Sequence, residues 1–138
     1  MTIQPYLSFE GRCEEALEFY RSALGATIEM MMRFKESPDK NAGATNPPGT
    51  ENKILHAAFR VGDTTLMASD GRCTGSQHGY QGIALALTVD DIPTADRRFA
   101  ALADGGQVLQ PLGQTFFSPR FGMVTDRFGV MWMVLVRQ

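Results

Sequence analysis

Apolar and polar positions alternate along the chain in two repeated sets, separated by glycine-rich breaks. Ile3 to Phe9 is a short run of aromatic and branched residues and predicts a strand, ended by Gly11. From Glu14 to Leu24 the apolar residues Ala16, Leu17, Tyr20, Ala23 and Leu24 fall on one helical stripe. Glu14 and Glu15 in the first turn suit the helix dipole, and Gly25 fits the left-handed position after the last turn. Thr27 to Phe34 predicts a second strand. Lys35 to Lys53, with three prolines and two glycines, is too polar for regular structure and reads as a mobile loop. Ile54 to Val61 and Thr64 to Ser69 flank Gly62-Asp63, a two-residue hairpin signal. Asp70 to Gln81 is a second, glycine-rich loop.

The same order then restarts. Ile83 to Val89 predicts a strand, with Ile83, Leu85, Leu87 and Val89 packing under a helix and Ala84, Ala86 and Thr88 on the other face. Asp90 or Asp91 can cap a helix with Pro93 in its first turn and a buried stripe of Ile92, Ala95, Phe99, Leu102 and Ala103, ended by Gly105-Gly106. Gln107 to Gln110, Arg120 to Thr125 and Met131 to Val136 predict strands, the last entered through a tight turn at Asp126-Arg127-Phe128-Gly129. Each half reads strand, helix, then three strands. Phe19 and Gly25 of the first helix have counterparts in Phe99 and Gly105 of the second. The repeated order marks an internal duplication.

Composition narrows the class. A chain of 138 residues, 43% hydrophobic and 20% charged, suits a single folded domain of two modules, about residues 1–70 and 82–138. Thirteen basic against fifteen acidic residues leave a net charge of −2, without the basic footprint of a nucleic-acid or anionic-membrane partner. Two cysteines, no apolar run of spanning length and no leader pattern suit the reducing cytoplasm.

At this point the residues carry a resemblance. Pro5-Tyr6-Leu7-Ser8-Phe9 with Gly11, Glu14-Glu15-Ala16-Leu17-Glu18-Phe19-Tyr20, Leu55-His56-Ala57, Leu66-Met67-Ala68-Ser69-Asp70 and Asp126-Arg127-Phe128-Gly129-Val130-Met131-Trp132 resemble the PhnB-like family of the vicinal oxygen chelate superfamily. That superfamily includes glyoxalase I, bleomycin-resistance proteins and extradiol dioxygenases. The resemblance implies an α+β fold in which two paired βαβββ modules form curved mixed sheets around a cavity, and it implies a homodimer. It also implies metal-ligand positions, here Pro5, Met67 or a near neighbour, Ala84 and Met133. None supplies the His or carboxylate that zinc, nickel or iron wants, and no cofactor is expected. The family has also been linked to a ubiquinone methyltransferase, but no glycine-rich turn for a methyl-donor nucleotide is visible.

The remaining candidates line the cavity that the resemblance implies. Met131 and Met133 would face Ala84 and Ala86, with Met67 contributing from the first module, to make an adaptable apolar pocket. The competing reading makes all of them ordinary core. His56 shares a strand face with Ile54, Ala58 and Arg60, opposite Leu55, Phe59 and Val61, so His56 and Arg60 can hold a carboxylate or phosphate group; the structural alternative is a hydrogen-bonded histidine beside a rim arginine. Asp70 can bond His56 or shape the loop. Cys13 at the helix start, Cys73, His78 and Tyr80 in the second loop, and the aromatic faces of Tyr6 and Trp132 complete the set. The expected function is binding of a small organic molecule without a metal. The rivals are a lyase, isomerase or dioxygenase using His56, His78, Glu51 or Asp70, and a dimeric scaffold with no ligand.

Overall fold

The computed structural model describes residues 1–39, 41–73 and 80–138. The chain divides into two compact units, Met1–Gln77 and His78–Gln138, each with its own sheet and helix. The first unit runs β1 (Tyr6–Ser8), α1 (Cys13–Leu24), β2 (Thr27–Arg33), a single 3-10 turn at Phe34–Glu36, β3 (Ile54–Val61) and β4 (Thr64–Ser69). Its sheet is ordered β1-β4-β3-β2, with β1 parallel to β4 and the other pairs antiparallel.

The predicted stripe of α1 is buried, with Cys13 added at its start. Tyr20 lies at its centre and stacks on Phe59 of β3, ring centroids 5.8 Å apart. Gly25 adopts φ 68 and closes the helix through its N–H to Arg21 O, which only a residue without Cβ does at no steric cost. Asp70, fully buried at the end of β4, ties three segments together. Its Oδ1 accepts the backbone N–H groups of Gly11 and Cys13 at 2.9 and 2.7 Å, and its Oδ2 accepts that of Ile54 at 2.7 Å. Asp70 thus satisfies amides left open where α1 begins.

The second unit runs β5 (Leu85–Val89), α2 (Ile92–Ala103), β6 (Gln107–Gly113), β7 (Phe121–Thr125) and β8 (Met131–Val136), ordered β5-β8-β7-β6 with β5 parallel to β8. Asp91 caps α2 by accepting the Thr94 N–H at 2.8 Å, and Ala95, Phe99 and Leu102 are the buried stripe. Asp126 organises the turn into β8, its Oδ1 accepting from the N–H groups of Phe128 and Val130 and its Oδ2 from the Trp132 indole.

Several boundaries differ from expectation. β1 starts at Tyr6 because Pro5 has no N–H to donate; it offers its carbonyl to Met67 N instead. Gly82 turns the chain at φ 76, so β5 starts at Leu85 and Ile83 is 67% exposed rather than packed under α2. Ile92 precedes the buried stripe and is exposed. β6 continues through Pro111, which an edge strand tolerates. Lys35 to Lys53 folds back on itself: Phe34 N bonds Lys53 O, Lys35 N bonds Glu51 O, and turns close at Asp39, Asn41 and Gly43. No helix among the described residues is long and apolar enough to cross a membrane.

Candidate functional site

In the first unit Ala57, Phe59, Leu66 and Ala68 are buried, and the alternate residues form the open face of the sheet. Strand register sets Tyr6, Met67, Ala58 and Met30 in one row across the four strands. Beside that row His56 stands opposite Met32, and on its other side Arg60 stands opposite Thr65 and Thr27. His56 and Arg60 share one face by alternation along β3, and register adds Met67 to it.

The polar centre of this face joins β1 and β3, which β4 separates in the sheet. Tyr6 Oη lies 2.9 Å from His56 Nδ1, the rings tilted at 38° with centroids 5.6 Å apart. Partial burial pushes the Tyr6 phenol above its ordinary value, and a hydrogen bond from Ser69 pulls it part of the way back. Arg60 Nε lies 3.9 Å from Glu29 Oε2, an exposed pair at long range that holds the guanidinium weakly. Thr65 donates to the same Glu29 carboxylate at 3.3 Å.

Other candidates fall elsewhere. Asp70 spends both carboxylate oxygens on backbone amides, so it orders the loop and the helix start and makes no bond to His56. Glu51 accepts from Lys35 through its main chain and lines a cavity of about 460 Å³ within the loop, with Phe34, Lys35 and Asn46. The Cys13 thiol is buried, and burial first, then Asp70 and Glu14, hold its pKa far above the ordinary value. Cys73 sits at φ 55; burial raises its thiol too, with Asp70 and Glu10 adding to the rise. Trp132 is core, bonded to Asp126. Tyr80 is half-buried, whereas His78 lies outside the described residues.

In the second unit Trp132, Val134 and Val136 are buried. The opposite face of that sheet pairs Ala86 with Met133, Thr88 with Leu135, Met133 with Met123 and Met131 with Thr125. Ala84 is half-buried and lies just before β5.

The metal positions can be compared with register. The residue across from Met67 on the first strand is Tyr6 rather than Pro5, and the one across from Met133 is Ala86 rather than Ala84. Neither the phenol and thioether of the first unit nor the alanine and thioether of the second is the His and carboxylate set that zinc, nickel or iron wants. Among the described residues no group of three or more His, Cys, Asp or Glu could hold a metal ion. From the sequence Tyr6 offers an aromatic face or a buried structural ring; in the fold it is 51% exposed, and nothing local in the sequence signals its bond to His56, or that Met30 and Met32 join the same surface.

Two units of identical βαβββ order, each with its first strand parallel to its last, define the glyoxalase-like fold of the vicinal oxygen chelate proteins. The chain shares it with a glyoxalase-related enzyme from Fulvimarina pelagi, at TM-score 0.60 and 18% identity over 99% of this chain and 88% of that one. More narrowly, the chain belongs to the PhnB-like family whose model, described as 3-demethylubiquinone-9 3-methyltransferase, matches residues 1–135. Protein PA1353 from Pseudomonas aeruginosa is 45% identical, with TM-score 0.85 over 100% of this chain and 98% of that one. A PhnB protein from Bacillus cereus is 31% identical, with TM-score 0.77 over 99% of each chain.

Proposed function

We propose that the chain binds a small organic molecule, without an intervening metal ion, on the open face of its first sheet. The observation that carries this reading is the Tyr6–His56 hydrogen bond set among Ala58, Met30, Met32 and Met67. Methionine side chains adapt to ligand shape, and a small number of polar groups on such a surface fix orientation. Arg60, loosely held by Glu29, supports a ligand with an acidic group. The second unit's face, with Ala86, Met131 and Met133, has the same apolar character.

Methyl transfer, named in the family description, is not carried over to this chain. A homodimer is also proposed, supported by edge strand β6, where Val108 and Leu109 are 44% and 45% exposed.

Fluorescence titration with 1-anilinonaphthalene-8-sulfonate, an apolar anion, tests the binding reading. Saturable binding to the native protein is expected, weakened about tenfold or more by Met67→Glu with the fold retained, as one buried charge accounts for that much. Absence of saturable binding, or equal binding by a folded Met67→Glu variant, would overturn it.

A further inference from the structure

We infer that His56 reads an oxygen acceptor on the ligand through its Nε2–H, and that Tyr6 is the positioning residue that sets this tautomer. The inference rests on the small-molecule reading above and adds the ligand's class: an apolar body bearing a carbonyl or carboxylate oxygen.

A neutral imidazole has one nitrogen that donates and one that accepts. A phenol is a good proton donor and a neutral imidazole nitrogen a good acceptor, and the Tyr6 hydroxyl lies 2.9 Å from His56 Nδ1. With Nδ1 accepting the Tyr6 O–H, the imidazole proton is left on Nε2. The residues paired nearest to His56 on this face, Met32 across from it and Ala58 and Met67 in the adjacent row, provide no strong acceptor for that proton. Ser69 is already engaged, accepting the Gly71 N–H at 2.9 Å.

The bond contributes little to folding. Tyr6 is 51% exposed, so water can serve both groups when they separate. What the contact does is hold an otherwise rotatable imidazole in one orientation and one tautomer. This is what a donor aimed at a single ligand atom needs, and it makes Tyr6→Phe a variant that should fold normally.

Two measurements test the inference. The chain has two histidines, so in a His78→Gln background a long-range 1H–15N spectrum at alkaline pH reports His56 alone. The Nε2–H pattern is expected, giving way to a tautomer mixture in Tyr6→Phe; an Nδ1–H pattern would overturn the proposal. Binding is then compared for naphthalene, 2-acetylnaphthalene and 2-naphthoate, which share one apolar body. At least one oxygenated probe should bind tenfold or more tighter than naphthalene, and which one does so separates carbonyl from carboxylate. That advantage should vanish in His56→Phe, shrink in Tyr6→Phe and be partly rescued in His56→Gln, which keeps an N–H donor. Equal binding of all three probes overturns the His56 inference while leaving the small-molecule reading intact. If none of the three binds, that reading falls and the inference falls with it.

Discussion

The carboxylate of Asp70 accepts the backbone N–H of Cys13 at 2.7 Å, bridging 57 residues of sequence. Two further amides, of Gly11 and Ile54, converge on the same fully buried side chain. One anion therefore closes the loop before α1, starts the helix and anchors the first residue of β3.

Asp70→Asn should be strongly destabilising. An amide cannot accept at all three N–H groups, and its own NH₂ would face a donor. Leaving one or two buried groups unpaired costs about 1–3 kcal/mol each. Urea unfolding should therefore show a midpoint well below wild type, with ligand-face chemistry untouched in the fraction that folds. A loss under about 0.5 kcal/mol would refute the bridging role.

Gly106→Ala should disrupt the second unit. A Cβ there would lie 2.1 Å from Thr125 O and 2.9 Å from Asp126 Cα, so backbone must move. Overpacking of this kind costs about 1–3 kcal/mol and more when the obstacle is main chain. Gly113→Ala is the control, because nothing lies within 4 Å of its Cβ. Thermal unfolding of the two variants should separate clearly.

The thiols predict a pH signature. Burial raises Cys13 above the ordinary thiol value of 9.0, so the folded state keeps its proton where the unfolded chain loses it. The stabilisation is complete below that value and is lost as pH rises above it. Stability should fall above about pH 9 in wild type and fall less steeply in Cys13→Ala, measured by urea midpoints between pH 7 and 10.5. With Ellman's reagent at pH 8, Cys73 should react first and Cys13 only on unfolding.

Self-association is checked at the edge strand. Leu109→Lys places a charge at an exposed apolar position of β6. Sedimentation equilibrium should find a dimer in wild type and at least a tenfold weaker one in the variant, while far-ultraviolet circular dichroism stays the same. A wild-type monomer, or a dimer indifferent to the substitution, would exclude β6 as the contact.

Much of the fold was legible because its signals are short-range. The α1 stripe, the bounds of β3, β4 and β8, the Gly62-Asp63 turn and the Asp91 cap follow from periodicity and turn chemistry within a few residues. So did the division of β8, with Trp132, Val134 and Val136 buried and Met131, Met133 and Leu135 on the other face. The exposures of Ile83 and Ile92 were not legible, since a bulky residue beside a break looks the same whether or not a strand or stripe reaches it.

Within the candidate site, the amino-acid order by itself placed His56, Ala58 and Arg60 on one side of a strand, because side chains alternate whatever the neighbours are. Only the tertiary structure decided what His56 meets. Tyr6 lies 50 residues away, and it reaches the imidazole because β1 enters parallel beside β4 in the register that sets Tyr6 across from Met67. Pairing between distant strands depends on the whole sheet, and shifting it by one residue would send every side chain of β1 to the opposite face.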